Sequence, residues 1–176
     1  MATAAVVIDN FLTTEQWNTI QSGVSGYLNS STYTELRNSL HTQVNGWIET
    51  KLTDLNLWQA SWKDEIPLFS SINVGPPGVD RESSGESGGY HVESGGYIYY
   101  IHPTWDASWG GHLKFKDCDV AQIEPTPNRF VWVNPKVWHG IEVVDSSASN
   151  NRIAVVAWPT GTVEYASADL IINTSV

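Results

Sequence analysis

Apolar positions change their rhythm once along this chain. From Thr13 onward, Trp17, Ile20, Val24 and Leu28 recur at three- and four-residue steps, and Thr13 with Gln16 forms a capping box; a first helix is predicted here. Thr32 with Glu35 repeats the cap. Leu36, Leu40, Val44, Trp47, Ile48, Leu52 and Leu55 then form one stripe, predicting a second helix packed on a core. Gly46 weakens that helix locally, by about 1 kcal/mol relative to alanine. A short strand over residues 5–9 precedes both helices.

After Trp58 the helical rhythm gives way to short β-like runs separated by turn-rich segments. These are Ile66–Val74, Tyr97–Ile101, Leu113–Phe115, Arg129–Val133, Gly140–Val144 and Ile153–Trp158. Helices first and antiparallel strands afterwards predict an α+β chain, mainly β, closing as a sandwich or barrel. No internal repeat is visible. Residues 75–89, rich in Gly, Ser and Pro, have almost nothing to bury. They read as a long mobile loop beside a site rather than a linker. The whole of 1–176 is expected to be one domain, with helical support over about 13–58 and the barrel over about 64–160.

Composition narrows the partners. A net charge of −10 argues against non-specific nucleic-acid binding, which demands a basic surface. Nine tryptophans and seven tyrosines suit a β core, and leave open a surface that stacks on sugars or bases. The single Cys118 excludes an internal disulfide and a Cys-based zinc site, and its polar turn suggests an inert thiol. With no basic N-terminal region and only Val6-Val7-Ile8 as an apolar run, neither a signal peptide nor a membrane span is expected. A cytoplasmic or other intracellular setting, and a monomer or weak dimer, follow as expectations.

Chemistry concentrates in the second half. On an extended strand His91 and Glu93 point the same way, with Val92 turned to the other side. With His139 they supply two imidazoles and a carboxylate, the ligand set of a non-haem Fe(II) facial triad. Taken singly, His-x-Glu is common, and a lone His139 more often hydrogen-bonds a loop. Arg152 opens Arg-Ile-Ala-Val-Val-Ala-Trp, where alternation places it on one face with Ala154 and Val156. A guanidinium buried there needs an anionic partner, either a protein carboxylate or a small dicarboxylate.

The order of further motifs is recognisable: Val7-Ile8-Asp9-Asn10-Phe11-Leu12, Tyr97-Ile98-Tyr99-Tyr100-Ile101-His102, Gly110-Gly111-His112-Leu113, Ile123-Glu124-Pro125 and Arg129-Phe130-Val131-Trp132. Together with the triad and Arg152, this series resembles the Fe(II)/2-oxoglutarate-dependent oxygenases, within them the prolyl-4-hydroxylase-like branch, over residues 6–160. The resemblance implies a double-stranded β-helix, a jelly-roll or cupin-like barrel with the N-terminal helices packed on one sheet. It implies His91, Glu93 and His139 as metal ligands and catalytic centre, and Arg152 on the distal carboxylate of 2-oxoglutarate. It places a tyrosine hydroxyl near that carboxylate, Tyr100 by the motif and Tyr99 as the fallback. It further implies Fe(II) as cofactor, 2-oxoglutarate and O2 as co-substrates and ascorbate to keep iron reduced. The reaction would hydroxylate an aliphatic C–H, such as a prolyl residue of a peptide or protein, or a small molecule, releasing succinate and CO2. The 75–89 loop corresponds to a segment that closes over peptides, and Trp132 and Trp138 would help to exclude water.

Glu93 stands where aspartate is more common, and His102 and His112 replace an asparagine and an often acidic residue. Both histidines are expected in surface polar roles, and His41 in a structural one. Two other functions use the same barrel. A cupin-like non-oxidative metalloenzyme would not need Arg152, and a jelly-roll lectin would need no catalytic metal.

Overall fold

Thr13 starts the first helix as its spacing predicts. Its hydroxyl accepts from the Gln16 amide, and the Gln16 side chain accepts from the Thr13 amide. Helix α1 runs Thr14–Val24 and tightens into a 3₁₀ turn, Ser25–Tyr27. The second helix begins later than its sequence cap suggests. Thr34–Leu36 is instead a strand, β2, whose residues pair with Val74, Asn73 and Ile72. A sheet edge satisfies that backbone, so Leu36 joins the core from a strand. Helix α2 spans Ser39–Asp54, and Asn38 caps it by accepting from the His41 amide at 3.0 Å. His41 Nε2 lies 2.7 Å from Ser70 Oγ, tying α2 to the sheet beneath.

The structure is a computed structural model describing residues 1–55, 68–80, 89–92, 95–134 and 136–159. Besides β2, its strands are β1 (Ala5–Ile8), β3 (Leu68–Gly75), β4 (His91–Val92), β5 (Gly96–Tyr100), β6 (Leu113–Phe115), β7 (Gln122–Ile123), β8 (Phe130–Val133), β9 (Trp138–Ile141) and β10 (Arg152–Pro159). Among the described residues they form a six-stranded sheet, β1-β8-β5-β10-β3-β2, and a four-stranded sheet, β4-β9-β6-β7. All pairings between these strands are antiparallel. The architecture is a double-stranded β-helix with helical support. Of the proposed loop, residues 75–80 continue from the end of β3, and the Gly78 amide donates to Val144 O at 2.8 Å; residues 81–88 lie outside the described residues.

Strand alternation divides the apolar residues into two clusters. On the helix side, Ile20, Val44, Ile48 and Leu52 meet Tyr97, Tyr99, Phe130 and Val155. Between the sheets lie Ile98, Tyr100, Leu113, Val131, Ala154 and Val156. Neighbouring residues on β5 and β10 thus serve different clusters. Among the described residues no helix is long and apolar enough to cross a membrane.

His102 corrects the expectation of a surface role, since it is fully buried. Its Nδ1 accepts from the Ile153 amide at 3.2 Å, and its Nε2 lies 2.6 Å from Pro125 O. A carbonyl accepts only from N–H, so these contacts select the neutral Nε2–H tautomer. Burial, which outweighs the contact with the Pro125 carbonyl, pushes the imidazole down to about 4. The unfolded chain therefore binds a proton that the native state refuses between about pH 6.5 and 4. This contribution is complete above pH 6.5 and is lost as pH falls, up to about 3 kcal/mol. Urea titrations should show a pH slope between 6.5 and 4.5 that is shallower in His102→Asn, by up to about 1.4 kcal/mol per pH unit. Parallel slopes for the two proteins are the contrary result.

Candidate active site

His91 and His139 are direct partners across the β4–β9 ladder. Their ring centroids are 4.4 Å apart at 63°. Residues of β9 alternate, so His139 turns inward, 2% exposed, while Trp138 turns outward, 43% exposed. Trp138 is thus not positioned to shield a site. Nor is Trp132, which is buried in the helix-side cluster. Alternation along the strands decides both corrections.

His139 Nδ1 lies 3.0 Å from Val137 O, a contact that requires an N–H donor. The hydrogen is thereby placed on Nδ1 and a lone pair on Nε2. That Nε2 is buried and makes no hydrogen bond among the described residues. Burial, with a smaller contribution from His91, pushes the ring down to about 4, so it is neutral at physiological pH. Glu93 lies outside the described residues, and among those described no three His, Cys, Asp or Glu side chains are grouped to hold a metal.

Arg152 begins β10 opposite Gly75 and is 6% exposed. Among the described residues it makes a long hydrogen bond, Nη1 to Gly111 O at 3.4 Å. Arg129 shows what a satisfied fork looks like, with Nε and Nη2 on the two Asp9 oxygens at 2.6 and 3.0 Å. Gly111 brings its carbonyl close by adopting φ +69°. A Cβ there would lie 3.0 Å from Trp105 and 3.1 Å from Val144, so a larger residue would be both strained and crowded.

Tyr100 pairs with Ala154, two residues from Arg152 on the same inner face. Its hydroxyl is buried without a hydrogen bond among the described residues. Burial raises its pKa against the opposing pull of Arg152 and Arg129, so it stays a protonated donor. Tyr99 turns to the other cluster and gives its hydroxyl to Asn128 Oδ1 at 2.6 Å. Only Tyr100 therefore shares the inner face with Arg152.

Of these groups, Arg152 and His91 line a cavity of about 470 Å³, together with Ile98, Ala154, Val156 and Trp158, among others. Glu142 also lines it and is held by His112, whose Nδ1 and backbone amide lie 2.5 and 3.3 Å from Glu142 Oε2. His112 is thus engaged by a carboxylate and mostly covered, with 14% of its side chain exposed, rather than free at the surface.

Residues 80–160, which include His91, Glu93, His139 and Arg152, match the 2OG-Fe(II) oxygenase superfamily. Its fold is similar to a Pseudomonas putida prolyl-4-hydroxylase (TM-score 0.58, 13% identity, covering 89% of this chain and 92% of that one). It is similar also to a Trichoplax adhaerens prolyl hydroxylase solved with a hypoxia-inducible-factor peptide fragment (0.57, 14%, 89% and 83%). A viral collagen prolyl hydroxylase from Paramecium Bursaria Chlorella virus-1 gives 0.54 at 13% identity, with 89% and 90% covered. A comparison with curated protein sequences finds no match.

A 2OG-Fe(II) oxygenase uses iron and 2-oxoglutarate with O2, and the described residues fit both groups. His139 presents a bare, buried imidazole nitrogen whose tautomer is fixed by its other nitrogen, as metal-binding histidines generally are. Arg152 and Tyr100 present a buried cation and an unpartnered donor on one face, as a carboxylate requires. Among the described residues the tryptophan that lines the cavity is Trp158. Its signal was present: the alternation that groups Arg152, Ala154 and Val156 reaches position 158 in one more step.

Proposed function

We propose that the protein is an Fe(II)- and 2-oxoglutarate-dependent dioxygenase that hydroxylates an aliphatic C–H, with a prolyl residue of a peptide or protein as its substrate class. The observation that carries this reading is the buried Nε2 of His139, bare among the described residues, on the ladder partner of His91, which lines a cavity together with Arg152. In this reading His91, Glu93 and His139 hold the iron, and the Arg152 fork holds the distal carboxylate of 2-oxoglutarate. The Tyr100 hydroxyl donates a further hydrogen bond to that carboxylate. Bound iron, with 2-oxoglutarate and O2, supplies the oxidation, and succinate and CO2 are released. The chain orients the substrate and keeps water out, using Ile98, Ala154, Val156 and Trp158 as an apolar wall.

The fold likeness to prolyl hydroxylases, one of them solved with a peptide, supports the choice of substrate. The test is succinate formation from 2-oxoglutarate, Fe(II) and ascorbate over a panel of proline-rich peptides, with mass detection of one added oxygen. Peptide-dependent succinate with the matching mass gain is the expected result. The reading fails if no peptide gains oxygen and if Fe(II) with 2-oxoglutarate, mixed anaerobically with the protein, gives no visible charge-transfer band.

A further inference from the structure

The His139 ring is held from three directions. Val137 O takes its Nδ1 hydrogen, the His91 ring meets it at 63°, and the Trp158 indole lies almost parallel to it, at 9° with centroids 5.3 Å apart. His139 belongs to the four-stranded sheet and Trp158 to the six-stranded one, so the stack spans the space between the sheets. Trp158 is itself confined by Gly96 on β5. A Cβ on Gly96 would lie 2.3 Å from Trp158 Cε3 and 2.6 Å from Ala157 O. The indole therefore occupies room that glycine alone leaves.

The geometry points to Trp158 as a positioning residue for the metal-binding imidazole of His139, with Gly96 as its seat. This inference rests on the metal role proposed above for His139. The outer torsion of a histidine side chain is broad, and one hydrogen bond through Nδ1 still permits the ring to rock about that contact. A parallel indole removes this freedom and fixes where Nε2 points. Coordination draws electrons from the imidazole, and indole offers the most electron-rich aromatic face in proteins. The stack is therefore stronger with metal bound than without, which makes it a contribution to affinity as well as to packing.

Cobalt(II) titration of the full chain without 2-oxoglutarate, followed by its visible d–d bands, tests this independently of turnover. Trp158→Leu should weaken cobalt binding by about three- to tenfold, whereas Trp158→Phe, which keeps a ring, should stay within about threefold. Gly96→Ala should behave like Trp158→Leu even though its indole is still present. In the NMR spectrum of the cobalt protein, the exchangeable hyperfine-shifted Nδ1–H signal of His139 should move in all three variants.

Wild-type protein that takes up no cobalt sinks the metal reading and this inference together. Wild-type binding with less than threefold weakening in Trp158→Leu overturns this inference alone. Should near-UV circular dichroism show Trp158→Leu to be unfolded, Gly96→Ala decides, and wild-type affinity there is the overturning result.

Discussion

Replacing Arg152 with alanine is expected to raise the 2-oxoglutarate concentration needed for half-maximal turnover by two to three orders of magnitude, about 3–4 kcal/mol. The size follows from what is lost, a planar fork in a buried setting whose counterpart is a carboxylate. The ligand-free protein should respond differently. Arg152 is 6% exposed and among the described residues makes a long contact to Gly111 O, so the unliganded fold gains little from its charge. Removing that charge relieves a desolvation cost while losing the packing of the stem, and the net change should stay within about 1 kcal/mol. Arg152→Lys keeps the charge without the fork and should fall between the two, roughly tenfold from wild type. Steady-state kinetics in 2-oxoglutarate, beside urea melts of the apo-proteins, check both halves. Unchanged co-substrate dependence in the alanine variant would remove Arg152 from its proposed role.

The second large effect is expected at His139. A metal at one hundred times its dissociation constant stabilises the native state by about 2.7 kcal/mol. Wild-type protein should show this as a cobalt-dependent rise in melting temperature, and His139→Ala should lose it at the same metal concentration. Loss of a partner outside the coordination shell typically weakens a metal site by about 10- to 100-fold. Loss of a direct ligand should exceed that. Trp138→Ala is a suitable control, because its side chain points away from the cavity on the same strand. If His139→Ala keeps the full cobalt-dependent stabilisation, the proposed ligand set is wrong.

Different physical signals decide which features of this fold are legible in its sequence. Thr13 with Gln16 is a local cap that needs nothing beyond its own turn, and α1 starts there. Thr32 with Glu35 carries the same local pattern, but a distant strand competes for that backbone and wins. Alternation separates Tyr99 from Tyr100 without saying which one faces inward, because that depends on which side of the sheet the helices cover. His102 looked like a turn residue at the end of an aromatic strand. Its burial comes from two backbone partners, Pro125 and Ile153, that are remote in sequence. The pairing of His91 with His139 is likewise a matter of register between distant strands, and spacing alone does not contain it. Glu93 lies outside the described residues, so its place rests on the pattern His-x-Glu.

Strand β10 carries a consequence for how the protein is made. It is the last described strand in the chain, yet it sits between β5 and β3 in the middle of the six-stranded sheet. A ribosome therefore releases both neighbours well before the element that joins them. Until Arg152–Pro159 has emerged, β3 with β2 on one side and β5 with β8 and β1 on the other are two half-sheets with facing open edges. Unpaired edges of this kind invite pairing with other chains, and contacts so distant in sequence form slowly. The nascent protein is thus most vulnerable to aggregation just before β10 arrives. That strand delivers Arg152 and Trp158 to the cavity in the same step that seals the sheet.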